Sequence, residues 1–394
     1  MVDSEASVPF EIILPSAEEK CLINGGTVED SISKIDIRKA EAFKQSDLDN
    51  INALVAKSMG HGRLNELIAT EMRKWFVSSA ESVLKKLPDD QKFTGDLHLH
   101  TVKMYITLGR LADADTELLK RRQKQLALST ESWKIAETLC EMGTVKWKRG
   151  QLETALSTLT EARFIYGKSE RENLELLGNI THRIGSVLAD QGKYEDAMQS
   201  YSESLAVKVR CFGTEHVAVA DTLGNMGAVY LSLGNLQKAL ELFEKDLEIR
   251  KKSLGDSHVS VAATKNNIGE VCRQLGRYDE AMKWYTEALE IDEKCLGPSH
   301  ANVADRYNNM ALVKQSLGKL NESLELHQKS LDIRVRCFGT GHVSAADTMY
   351  NMSNIYDKIG DDAKALELTR KAHAIYFKAL GPDHPTTKEM AQFI

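Results

Sequence analysis

A period of 42 residues runs through more than half of the chain, and no other feature restricts its fold so strongly. Gly-x-x-His recurs at Gly213/His216, Gly255/His258, Gly297/His300, Gly339/His342 and Gly381/His384. A turn glycine recurs at Gly150, Gly192, Gly234, Gly276, Gly318 and Gly360, and every step in both series is 42 residues. Two markers held in phase over so many copies mean that one supersecondary unit has been repeated. A unit of this size cannot bury an apolar face alone, so neighbouring units must stack.

Within a unit the apolar spacing is helical on both sides of the turn glycine. Leu223, Met226, Gly227, Tyr230 and Leu233 precede Gly234, and Leu236, Ala239, Leu240, Phe243 and Leu247 follow it, each set an i, i+3, i+4, i+7 stripe. The unit is therefore a helix pair. A small residue stands mid-helix in six successive copies: Gly143, Gly185, Gly227, Gly269, Ala311 and Ser353 in the first helix, and Ala155, Ala197, Ala239, Ala281, Ser323 and Ala365 in the second. Such residues let the two axes approach closely, and a larger side chain there overpacks.

Counting from Gly109, whose step to Gly150 is 41, the spacing predicts seven units over residues 94–385. Residues 1–36, with Pro9, Pro15, Gly25 and Gly26 among many polar residues, read as a flexible lead-in. Residues 37–93 read as a helical cap or degenerate repeat, broken at Gly60 and Gly62. Residues 386–394 read as a short capping helix or a truncated repeat.

The run Asn266 to Ala281, NNIGEVCRQLGRYDEA, together with the Gly-x-x-His loop, resembles a tetratricopeptide array of the 42-residue kinesin light chain type. The resemblance implies an all-α fold, a right-handed superhelical solenoid of stacked antiparallel helix pairs. First helices would line its concave groove. It also implies a scaffold or adaptor that binds a partner's short linear peptide, with a motor or cytoskeletal complex as the class of partner.

Composition excludes several other functions. With 51 basic against 57 acidic residues, a net charge of −6 and no basic run, the chain lacks the concentrated positive face that nucleic acid requires. Its start has no positive n-region and no apolar stretch long enough for a signal peptide or membrane span. Cys211, Cys295 and Cys337 fall at one place in different repeats, too far apart for the approach of about 7 Å that a disulfide needs. With Cys21, Cys140 and Cys272 they read as reduced thiols of a cytoplasmic protein.

One polar row has no packing explanation. Asn225, Asn267, Asn309 and Asn351 each stand two residues before the small residue of a first helix, with Arg183 at the matching place one unit earlier and Asn266 and Asn308 adjacent. Helical geometry turns this row away from the packed stripe. Asparagine is a mediocre helix former. Its amide, however, both donates to and accepts from an extended peptide backbone without reading side chains. Each bond contributes roughly 0.5–1.5 kcal/mol. In kinesin light chain-like arrays the resembling asparagines hold cargo peptides, which is what the resemblance implies for these four. Arg273, six places after Asn267, is a candidate for selectivity. The places just before the row, Cys140, His182, Gly224, Asn266, Asn308 and Tyr350, contain no lysine, which argues against a clamp for a terminal carboxylate.

The loop histidines lie a full repeat apart and cannot share one metal ion, whose ligands lie about 2 Å from it. They read as loop fasteners. The Asp96-Leu-His98-Leu-His100 run resembles a metallohydrolase motif, but on a helix residues two apart diverge, whereas on a strand they align. No cofactor is expected. The sequence reads as a non-catalytic interaction scaffold, with a structural, self-assembling solenoid as the alternative.

Overall fold

The computed structural model describes residues 74–393 except 75, 76, 79, 129, 169–172 and 383. The lead-in over 1–36 and most of the cap region over 37–93 lie outside the described residues. What is described falls into two compact units, one ending at Val207 and one beginning at Lys208. All regular structure among the described residues is helical.

The first unit contains α1 (Asp89–Thr94), α2 (Asp96–Thr107), α3 (Leu111–Ala127), α4 (Ser132–Lys148), α5 (Leu152–Tyr166) and α6 (Leu174–Asp190). It also contains most of α7 (Tyr194–Phe212). The second unit contains α8 (Val217–Ser232), α9 (Leu236–Leu254), α10 (Val259–Gln274), α11 (Tyr278–Leu296) and α12 (Ala301–Ser316). It continues with α13 (Leu320–Phe338), α14 (Val343–Ile359), α15 (Asp362–Leu380) and α16 (Pro385–Met390), closed by a 3-10 turn at Ala391–Phe393. No described helix is long and apolar enough to cross a membrane.

The two sequence markers are the two ends of a first helix. At the start of α10, His258 sits in extended backbone and its Nδ1 accepts from the Ser260 N–H at 3.1 Å, which satisfies one of the orphan donors of the first turn. His216, His300 and His342 do the same for α8, α12 and α14. At the end of α10, Gly276 adopts φ 73°. Its N–H donates to the Arg273 carbonyl, while the Arg277 N–H donates to that of Cys272. That paired closure demands left-handed backbone, which only glycine takes without steric cost.

The helices of a pair meet across the small-residue column. A Cβ added to Gly227 would stand 2.9 Å from the Phe243 ring, so α8 and α9 approach as closely as glycine permits. Across the column, residue sizes compensate. Glycine faces Leu159, Tyr201, Phe243 and Tyr285. Where the first helix carries Ala311 the matching place in the second is His327, and where it carries Ser353 the matching place is Thr369. In the second unit the filled column forms one buried cluster from Ala239 and Phe243 through Ile268 and Tyr285 to Val313.

Between repeats of the second unit, polar pairs close four successive seams. Lys208 Nζ donates to Thr222 Oγ1 at 3.0 Å, and Arg334 Nη1 donates to Thr348 Oγ1 at 2.7 Å. Arg250, at the same place, bonds Asp246, whose other oxygen accepts from Thr264. One seam is reversed. Asp292 occupies the cation's place, and Arg306, in the threonine's place, donates to it at 2.9 Å. The repeat of Asp292 differs from its two neighbours in its first helix as well. Arg250 and Arg334 also bond Asp221 and Asp305 of their own first helices, whereas the matching residue for Asp292 is Ala263.

Candidate functional site

In the second unit the asparagine row runs along α8, α10, α12 and α14, and all four residues are half-buried. Sequence periodicity places them off the packed stripe. The structure adds what their amides touch. Asn309 Nδ2 donates to Asn266 Oδ1 at 2.8 Å, and Asn351 Nδ2 donates to Asn308 Oδ1 at 3.2 Å. Each bond links a row residue to the residue just before the row in the preceding repeat. Asn309 and Asn351 are thus fastened to the asparagines of the preceding repeats and are not independent donors. Asn225 also has a partner of its own.

Asn267 differs. The residue just before the row in the preceding repeat is Gly224, which has no side chain, and the Asn267 amide forms no side-chain hydrogen bond among the described residues. A Cβ at position 224 would come within 3.2 Å of Asp246 Oδ2, the carboxylate held in the seam by Arg250 and Thr264. The seam network therefore crowds the position that would otherwise carry Asn267's partner.

Further along α10 lies the network of Arg273. Its guanidinium donates through Nε and Nη2 to both carboxylate oxygens of Glu270, at 2.9 and 2.6 Å. Gln274 and the Tyr285 hydroxyl complete the shell of Glu270. Burial pushes the Glu270 carboxyl up, but these donors outweigh it and hold it below the usual carboxylate range. A fork bound at both tines is a fixed, oriented feature of the surface. It has little freedom to seek another anion.

In the first unit Arg183 is equally committed. Its Nη1 lies 3.1 Å from Glu141 Oε1 and donates to the Cys140 carbonyl and Sγ. Burial pushes the Cys140 thiol up to about 11, so the sulfur accepts as a neutral thiol. Sequence reasoning missed Glu141, although the signal was present, because 141 is the row position one period before 183.

The remaining sequence candidates are placed as follows. His98 and His100 lie on α2. His98 is 2% exposed, with Nε2 3.1 Å from Glu117 Oε2 and its ring edge-on to Phe93. No three metal-binding side chains converge among the described residues. The five described cysteines are free thiols, and Cys21 lies outside the described residues.

Stacked antiparallel helix pairs, joined by glycine turns and carrying a polar row on their first helices, define an α-helical repeat protein. Comparison makes the class specific. The tetratricopeptide repeat model matches residues 176–252, 218–294, 260–313 and 302–378, which together span more than half of the chain. The chain belongs to the tetratricopeptide repeat family. Among solved structures, a tetratricopeptide repeat protein from Parabacteroides merdae is similar at 18% identity with a TM-score of 0.52, covering 75% of this chain and 96% of that one. BtubC (BKLC) from P. vanneervenii is similar at 22% identity and TM-score 0.48, covering 59% and 94%. A Podosopora anserina protein of the kinesin light chain type with nearly identical TPR-like repeats is similar at 21% and 0.45, covering 54% and 99%. No curated protein matches the sequence.

Proposed function

We propose that this protein is a non-catalytic scaffold or adaptor of the cytoplasm that binds an extended segment of a partner protein along the first helices of its second unit. Asn267 is the anchor of that contact. The observation that carries the reading is the contrast within the row: Asn309 and Asn351 hold Asn266 and Asn308 of the preceding repeats, while the residue at the matching place for Asn267 is Gly224. A half-buried primary amide with donors and acceptor unclaimed suits a peptide group, to which it can give one bond and from which it can take another. Arg273, held by Glu270, lies six residues further along the same helix and is a fixed cation for the segment's next residues. The likeness to kinesin light chain-type repeats supports a motor-linked or cytoskeletal partner.

The test compares Asn267→Ala with the parent chain in affinity purification read by mass spectrometry, alongside thermal melts of both. Loss of partners recovered by the parent, with an unchanged melt, supports the anchor. Equal recovery moves the function off this face.

A further inference from the structure

The last helix pair departs from the repeat pattern at two facing positions, and both departures open the same space. The residue opening each second helix is apolar in five successive units, Leu152, Tyr194, Leu236, Tyr278 and Leu320, but is Asp362 in the last. The residue packed on the small-residue column is Leu159, Tyr201, Phe243, Tyr285 and His327, but is Thr369 in the last. Between α14 and α15 this leaves a cavity of ≈ 290 Å³ lined by Tyr350, Ser353, Asn354, Asp357, Asp362 and Thr369. It opens to solvent through exposed Asn354, Asp357 and Asp362.

We propose that this cavity is a binding site for an arginine side chain of the partner segment. Size sets the first limit. At ≈ 290 Å³ the cavity lies at the small end of ligand pockets and has room for one side chain. Charge sets the second. Two carboxylates and an amide oxygen are present, no cation lines the space, and neither Asp357 nor Asp362 has an ion-pair partner among the described residues. The nearby Lys364 is held elsewhere, at 3.1 Å from Asp361. Shape favours arginine over lysine, because a planar fork of five donors can meet two carboxylates at once, whereas an ammonium is a point charge. The place of Asp357 also varies along the row as Leu231, Arg273, Gln315 and Asp357, so each repeat would read a different side chain. The inference rests on the proposed function for the identity of the carrier, a partner's peptide.

The probe is N-acetyl-L-arginine amide titrated into the full chain, with the citrulline analogue as its neutral isostere. Saturable binding of the arginine probe, weakened about tenfold or more by citrulline substitution, is expected. Asp362→Leu restores the residue type of the other repeats and so keeps the fold, and it should weaken binding to the same degree. Asp357→Asn should do so without changing shape. Asn267→Ala should leave probe binding unchanged, which separates this site from the anchor. Absence of saturation, equal binding of citrulline, or undiminished binding by both aspartate variants would overturn the proposal.

Discussion

The Asn309 amide reaches across one repeat to Asn266 Oδ1 at 2.8 Å, so a residue placed by its periodicity for binding a partner also fastens two first helices together. Stability and binding should therefore separate along the row. Asn309→Ala is expected to lose roughly 0.5–1.5 kcal/mol, the net contribution of one such bond. Asn267→Ala should stay within about 0.5 kcal/mol of the parent. Denaturant unfolding of the two variants decides this, and equal losses would mean that Asn267 is interlocked as well.

The reversed seam makes a sharper demand. Arg306→Leu leaves Asp292, fully buried, without its counter-ion, and breaking a buried pair typically costs about 3–5 kcal/mol. Replacing both residues with leucine removes the stranded charge. The double variant should be markedly more stable than Arg306→Leu alone, as read from unfolding midpoints.

Size compensation in the small-residue column is testable by a double-mutant cycle. A Cβ at Gly269 would lie 2.8 Å from the Tyr285 ring, and the chain itself pairs alanine with histidine at Ala311 and His327. Gly269→Ala with Tyr285→His should therefore be more stable than the sum of the single changes, by a coupling of roughly 0.5–3 kcal/mol. Additive losses would show that α10 and α11 can shift apart freely.

Acid should weaken both units through buried histidines. His98 and His327 are each held down to about 4 by burial, against an ordinary value of 6.5. Between those values the unfolded chain binds a proton that the folded chain refuses, so the stability present above about 6.5 is lost as pH falls towards 4. His258 moves in the same direction, lowered by burial and by Arg250, and protonation would also remove its cap on the Ser260 N–H. His327→Leu should flatten the dependence of the second unit's melting temperature on pH over this range. An unchanged slope would assign the acid sensitivity to other groups.

Most of the architecture was legible before any coordinates. Gly234 and Gly276 mark turns because their backbone must be left-handed, and the histidines His216, His258, His300 and His342 read as loop fasteners, which the structure makes the side-chain acceptors at four helix starts. Both requirements are local, so they repeat wherever the local structure repeats. Less was legible at the site. Periodicity located Asn225, Asn267, Asn309 and Asn351, but whether the Asn267, Asn309 or Asn351 amide is occupied depends on the residue 43 places earlier, where Gly224 departs from Asn266 and Asn308.

The sequence by itself determined the period, the helix pairs, the family and the face on which the polar row stands, because these follow from helical geometry and from the need of each unit to bury its stripe on the next. Only the tertiary structure decided the remainder. It showed that Asn267 has no counterpart, that Asp292 and Arg306 reverse one seam, and that Asp362 and Thr369 open a cavity where other repeats are filled. Each of these depends on what two side chains from different helices do when brought within about 3–4 Å, where hydrogen bonds and packing act. A one-dimensional pattern records the two residues but not their meeting.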